Sequence, residues 1–271
     1  MIATDNDISV LGCGWYGLAL ATRLVEKGYS VKGSTTTPAK IKSLHESGIL
    51  PFLVNFDESA ESYDPKFFDC SVLIISIPPK RNTAEQHTFY SKIQRIAAAA
   101  TTYRVPHIIF ISSTSVYGDH DGEVTETTPT SPDTPSGKAI VSAEELLIKS
   151  ESFTTAVVRF GGLIGPHRDP ARFFAGKRDI PNGRAPVNLI HLSDCIGITL
   201  KIIELKAYGV IYNACSPEHP SRAIFYIQAA VRSGLEKPVF IDELQGYKTV
   251  NSINIPAKLH YNFIFSINSF I

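Results

Sequence analysis

Two hydrophobic periods alternate along this chain. Short β-rich runs at residues 8–11, 29–33, 49–56, 72–77, 107–111 and 155–160 include near-continuous apolar stretches, as strands need when a sheet is covered on both faces. Between them lie stripes of helical spacing. One follows Gly17 and stops at Gly28, and a short one through Ile41, Leu44 and His45 ends at Gly48. A third, in residues 83–100, carries Phe89, Ile93, Ile96, Ala97 and Ala100, and a fourth carries Ala139, Ile140, Ala143, Leu146 and Leu147. Each is the buried face of an amphipathic helix. Strand and helix in alternation predict an α/β doubly wound parallel sheet.

The first strand–helix junction carries the chain's most specific signal. Gly12-x-Gly14-x-x-Gly17 follows a strand and opens a helix, the context in which this spacing forms a dinucleotide turn. Gly12 makes the tight turn, Gly14 admits a pyrophosphate and Gly17 lets helix pack on strand. The turn residues Gly12, Cys13, Gly14, Trp15, Tyr16 and Gly17 are therefore candidate cofactor contacts, with the helix N-terminus facing phosphate. In this fold a carboxylate about 20 residues after the first glycine takes the ribose 2′-hydroxyl. Here residues 33–37 read Gly-Ser-Thr-Thr-Thr, with Lys40 nearby and no carboxylate. Ser34, Thr35 and Thr36 accordingly favour NADP(H), with NAD the alternative; the same hydroxyls also suit a turn or a helix cap. Ligands bind beyond the carboxyl ends of parallel strands. Asn55 or Asp57 would lie near an adenine, and Ile77 and Pro78 complete the candidate set, Pro78-Pro79 forcing an extended exit from the fourth strand.

Composition narrows the class. The 271 residues carry 26 basic and 26 acidic side chains, without runs of like charge, which argues against a nucleic-acid or anionic-membrane surface. Cys13, Cys70, Cys195 and Cys215 lack metal-ligand or CxxC spacing, the eight histidines are scattered, and neither a signal peptide nor a membrane-length apolar stretch is present. The expectation is a cytoplasmic protein with reduced thiols and no metal.

Further motifs continue the pattern: SSTSVYG at 112–118, VTETTPTSP at 124–132, AEELL at 143–147, VVRFGGLIGP at 157–166, NLIHLSD at 188–194 and VIYNACSP at 210–217. Together with GCGWYG they resemble the extended short-chain dehydrogenase/reductases of the NAD-dependent epimerase/dehydratase superfamily over nearly the whole length. The GxGxxG form of the turn and the late HPSR (219–222) are similar to the atypical, YeeZ-like subgroup. The resemblance implies a Rossmann-type domain at 1–160 with 188–215, and a small discontinuous C-terminal substrate lobe at 161–187 with 216–271. It also implies a Ser/Thr with a YxxxK pair as the proton relay. Alignment on the Val-Tyr-Gly places the hydroxyl at Ser113, but alignment on Glu144 places Ser136 and Ile140 where tyrosine and lysine should stand.

Neither residue replaces that chemistry, because serine is a poor acid and base near neutral pH and isoleucine carries no charge. Lys138 lies about 200° around the helix from both positions. Tyr117, His191 and Asp194 are the other acid/base candidates, with Ser113 and Tyr117 and His191 taken as the catalytic set. Arg159 reads as a paired structural cation, and His167 and Arg168 as an approach to the substrate lobe. The apolar end, YNFIFSINSFI, reads as a terminal core segment. Two functions follow: an NADP(H)-dependent oxidoreductase or epimerase-like enzyme acting on an unidentified small molecule, or a non-catalytic dinucleotide sensor. A homodimer would form through the helices near 83–100 and 140–149.

Overall fold

A computed structural model describes residues 6–57, 60–79 and 85–270. The chain opens with β1 (Asp7–Leu11), α1 (Trp15–Glu26), β2 (Ser30–Thr35), α2 (Ile41–Glu46) and β3 (Leu50–Leu53). Next come β4 (Val72–Ile75), α3 (Glu85–Thr102), β5 (His107–Ser113), β6 (Gly122–Val124), α4 (Pro135–Ile148) and β7 (Thr154–Phe160). The remainder is β8 (Gly162–Ile164), β9 (Leu189–His191), α5 (Leu192–Glu204), β10 (Ile211–Ala214), α6 (Arg222–Arg232) and β11 (Lys248–Val250). Seven strands form one parallel sheet in the order β3-β2-β1-β4-β5-β7-β10. The expected α/β doubly wound architecture is thus present. Winding reverses between β1 and β4, where Val10 stands opposite Gly33 on one side and Ile74 on the other.

Local chemistry explains the boundaries. All four residues of β4 are buried, as its unbroken apolar run requires. Gly28 ends α1 with φ +88°, a conformation glycine adopts without strain. Thr134 caps α4, its Oγ1 accepting from the Gly137 N–H at 3.1 Å, with Pro135 at the first helical position where a missing N–H costs nothing. The third strand is shorter than its 49–56 apolar run. Asn55 leaves the sheet to form an antiparallel bridge with Ser62, N to O 2.8 Å. Of the third helix, Thr83 and Ala84 lie outside the described residues.

The chain divides into two compact units. The first comprises Met1–Ser112, Thr134–Val158 and Thr199–Ile211. Its core gathers Ile8, Leu20, Leu24, Phe67, Leu73 and Ile74. The second comprises Ser113–Asp133, Arg159–Ile198 and Tyr212–Ile271, around Ile164, Val187, Leu189, Phe225, Tyr226 and Ile267. Two parallel strand pairs, β6 with β11 and β8 with β9, lie in it.

The C-terminal segment is held less by burial than its composition suggests. Asp194, 1% exposed, accepts from the Tyr261 hydroxyl (2.9 Å) and from the N–H groups of Ile264 (2.7 Å) and Phe265 (3.2 Å). Glu218 accepts from Ser266 and from the Asn268 N–H. Ile267 is fully buried, whereas Ile264 is 71% exposed. All four cysteines are buried as thiols, and burial pushes Cys13 up to about 12 and Cys70 up to about 11. Among the described residues no helix is long and apolar enough to cross a membrane, and no three metal-ligating side chains cluster.

Candidate functional site

The glycine turn is built by one unit's backbone and two serines. Gly12 has φ +100°; its N–H donates to Ser34 Oγ (2.8 Å) while the Cys13 N–H donates to the Ser34 carbonyl (3.0 Å). Ser76 Oγ donates to the Gly12 carbonyl at 2.7 Å. A Cβ on Gly17 would stand 2.2 Å from the Gly12 carbonyl oxygen, so only glycine lets α1 approach this closely; a Cβ on Gly14 would meet nothing within 4 Å. Gly14 therefore borders open space. Helix α1 starts there with neither a side-chain cap nor an acidic residue in its first turn among the described residues, which leaves its positive end uncompensated by side chains.

That open space is a cavity of about 320 Å³ beyond the carboxyl ends of β1, β2, β3 and β4, where the winding reverses and such folds bind ligands. Gly12, Cys13 and Gly14 line it from the turn, Ser34, Thr35 and Thr36 from the end of β2, and Asn55, Ile77 and Pro78 from the ends of β3 and β4. Trp15 lines a smaller adjoining cavity of about 270 Å³, together with Lys40 and Ser43. Tyr16 and Gly17 line neither. Tyr16 is buried, its hydroxyl 2.7 Å from Thr199 Oγ1, and it anchors the helix instead.

The hydroxyls at the end of β2 divide by task. Ser34, 3% exposed, braces the turn, and Thr35 Oγ1 accepts from the Thr37 N–H at 3.0 Å. Thr36, Thr37 and Lys40 are exposed along the rim. Among the described residues the carboxylate lining the larger cavity is that of Asp57, 2.6 Å from Lys92 Nζ on α3. Sequence reasoning passed over Lys92, and over Phe56 and Phe89 as apolar walls, because all three read as ordinary positions of a helix or strand stripe. The arrangement fits a dinucleotide: a glycine cradle open at Gly14, a helix N-terminus, and a cationic rather than acidic rim beside β2.

The proton-transfer candidates are differently placed. In α4, Ser136 Oγ lies 3.3 Å from Thr134 Oγ1, Ile140 is buried at 6% exposure, and Lys138 is exposed. Ser112, next to the predicted Ser113, donates to the buried carboxylate of Glu144. In the second unit, Ser113 Oγ accepts from the Ser115 N–H (3.2 Å) and caps a helical turn. Tyr117 is wholly buried; its hydroxyl donates to Asn213 Oδ1 (2.7 Å) and accepts from Arg159 Nη1 (2.8 Å), with the guanidinium carbon 5.0 Å from the ring centroid. Burial raises its pKa, opposed by Arg159. A hydroxyl so enclosed keeps its proton.

His191 is half-buried and stacks on Phe265, centroids 4.0 Å apart. Its Nδ1 accepts from the Ser193 N–H at 3.2 Å, which places the neutral ring's proton on Nε2. Burial lowers its pKa, opposed by Asp194. Asp194 itself is taken up by the C-terminal segment. His167 adopts φ +63° in a tight turn closed between Gly165 and Arg168.

Fold and turn together define a doubly wound α/β protein with a dinucleotide-type glycine turn. The model of the NAD dependent epimerase/dehydratase family matches residues 8–215, and the chain belongs to that family. It is similar to Protein YeeZ of Escherichia coli (strain K12), 38% identical over 244 residues covering 89% of each chain, which bears out the subgroup resemblance. Among solved structures it is similar to a functionally unknown conserved protein from Silicibacter pomeroyi DSS (TM-score 0.76, 23% identity, 97% of this chain and 96% of that one). It is also similar to UDP-glucuronic acid 4-epimerase from Bacillus cereus in complex with NAD (TM-score 0.81, 20% identity, 96% and 93%).

Proposed function

We propose that this protein binds a nicotinamide dinucleotide, prefers NADP(H), and serves an oxidoreductase- or epimerase-like reaction without the family's Tyr/Lys pair. The observation that carries the reading is the cavity at the winding reversal, open at Gly14 and rimmed by Thr36, Thr37 and Lys40. The family description and the NAD complex of the Bacillus cereus epimerase support the dinucleotide. Gly12, Gly14 and the start of α1 would hold the pyrophosphate. Asn55 and Asp57 would meet the adenine end, and Thr36 with Lys40 the 2′-phosphate. Bound there, the nicotinamide supplies or accepts hydride. Proton movement would fall to a group other than Ser136 or Ile140, with Ser113 and His191 as the candidate hydroxyl and imidazole.

A second reading is favoured by a specific observation. Tyr117 is enclosed by Arg159 and Asn213, and position 140 is an uncharged buried residue; both suit a dinucleotide sensor that performs no turnover. We also read the groove between α3 and α4, about 660 Å³ and lined by Tyr90, Ala97, Ala98 and Leu146, as a homodimer seam. Phe89 is not on it; it lines the nucleotide cavity.

Calorimetric titration with NADPH and NADH, followed by NADPH oxidation against small carbonyl compounds, tests these readings. We expect NADPH to bind more tightly. NADH tighter by tenfold, about 1.4 kcal/mol, would refute the preference, and no binding of either would refute the site. Turnover abolished by Ser113→Ala favours the enzyme; tight binding without turnover favours the sensor.

A further inference from the structure

The second unit contains a cavity of about 280 Å³, lined by Arg222, Lys248 and Asp119 with Asn182 and Asn188 beside them. Both asparagine amides are committed to one wall. Asn188 Nδ2 donates to the Lys248 carbonyl (2.7 Å) and its Oδ1 accepts from the Val250 N–H (2.8 Å). Asn182 Oδ1 accepts from the Gln245 N–H (2.9 Å) and its Nδ2 donates to the Gly246 carbonyl (3.0 Å). The chain from Gln245 to Val250 is thereby fixed in place. The amides leave little hydrogen-bonding capacity for a ligand, so recognition falls to the charges.

Two of those charges offset each other. Lys248 Nζ donates to the Gly118 carbonyl at 2.6 Å and lies 3.8 Å from the carboxylate of Asp119. Arg222 is different. Its guanidinium carbon stands 5.4 Å from the ring centroid of Phe174 and 5.8 Å from that of Phe240, and Nη1 donates to the Pro181 carbonyl at 2.9 Å. It makes no ion pair among the described residues. Two aromatic faces hold the cation, and one carbonyl uses one of its five N–H groups. A planar, pre-positioned guanidinium with spare donors is the group that binds carboxylate or phosphate bidentately. The volume lies below the ~300–1,000 Å³ of drug-sized pockets, which restricts the guest to a small molecule.

We propose that this cavity binds a small oxyanion-bearing metabolite, a phosphate ester or a carboxylate, with Arg222 as its anchoring cation. The test uses the full chain, ¹⁵N-labelled, titrated at constant ionic strength with inorganic phosphate and separately with succinate, following the amides of Gly246, Tyr247 and Lys248. A saturable shift is expected with at least one. Phosphate alone assigns the ester class, succinate alone the carboxylate class. Arg222→Gln should weaken binding at least about tenfold. Asp119→Asn should strengthen it, because it removes the one carboxylate that lines the cavity among the described residues. Asp119 has an exposed side chain, so the sign of its effect decides the matter even if Arg222→Gln does not fold. No saturable shift with either anion, an Arg222→Gln titration like the parent's, or weaker binding by Asp119→Asn would each overturn the proposal. NADPH affinity should be the same in all three chains, so this site and the dinucleotide site stand or fall separately.

Discussion

At the scale of single residues, the glycine turn separates steric need from ligand need. Gly17→Ala puts a methyl 2.2 Å from the Gly12 carbonyl, an overpacking that costs about 1–3 kcal/mol, so its melting temperature should fall by several degrees. Gly14 has φ −84°, which alanine accepts, and its Cβ would enter open space. Gly14→Ala should therefore melt within about 2 °C of the parent yet bind NADPH at least about tenfold more weakly. Equal NADPH affinity in Gly14→Ala and parent would mean that the open space is not the pyrophosphate's. The three glycines were legible in the sequence because their work is local. The brace from Ser34 was not, since the side chain that holds Gly12 lies 22 positions away and its hydroxyl read equally well as a cofactor contact. The enclosure of Tyr117 by Asn213, 96 positions on, was hidden for the same reason.

At the scale of elements, strands and helices followed their hydrophobic periods, and departures came where side chains bound backbone elsewhere. β3 ends before its apolar run because Asn55 bridges to Ser62. The aromatic C-terminal stretch joins the core at Ile267, and a buried carboxylate on α5 also holds it, which brings Phe265 onto His191. That placement has a pH consequence. His191 has its folded pKa lowered by burial, so the unfolded chain binds its proton more readily. The stability contributed by the neutral ring is fully present above the unfolded value of about 6.5 and is lost as pH falls through the lower folded value. Urea midpoints measured from neutral to mildly acidic pH should fall less steeply in His191→Gln than in the parent. Parallel pH profiles would show that His191 does not contribute to the acid sensitivity.

At the scale of the whole molecule, the doubly wound parallel sheet was foreseeable from the alternation of strands and helices, while the assignment of chemistry was not. The family resemblance puts Ser136 and Ile140 where it implies a tyrosine and a lysine, whereas the contacts that enclose Tyr117 join distant segments and could not be read from spacing. If α3 and α4 form a dimer seam, light scattering should return a dimer at micromolar concentration and Ala98→Glu, at an exposed position of the groove, a monomer. A parent that stays monomeric at high concentration removes the seam. The burial of every cysteine has a practical side. Ellman's reagent should find no fast-reacting thiol in the native chain and four in denaturant, because desolvation keeps these thiols protonated. A native molecule with a silent thiol background accepts a single engineered surface cysteine as its unique label. Placed at Lys40, on the rim beside β2, a fluorophore would report cofactor arrival optically, in real time, without any turnover to follow.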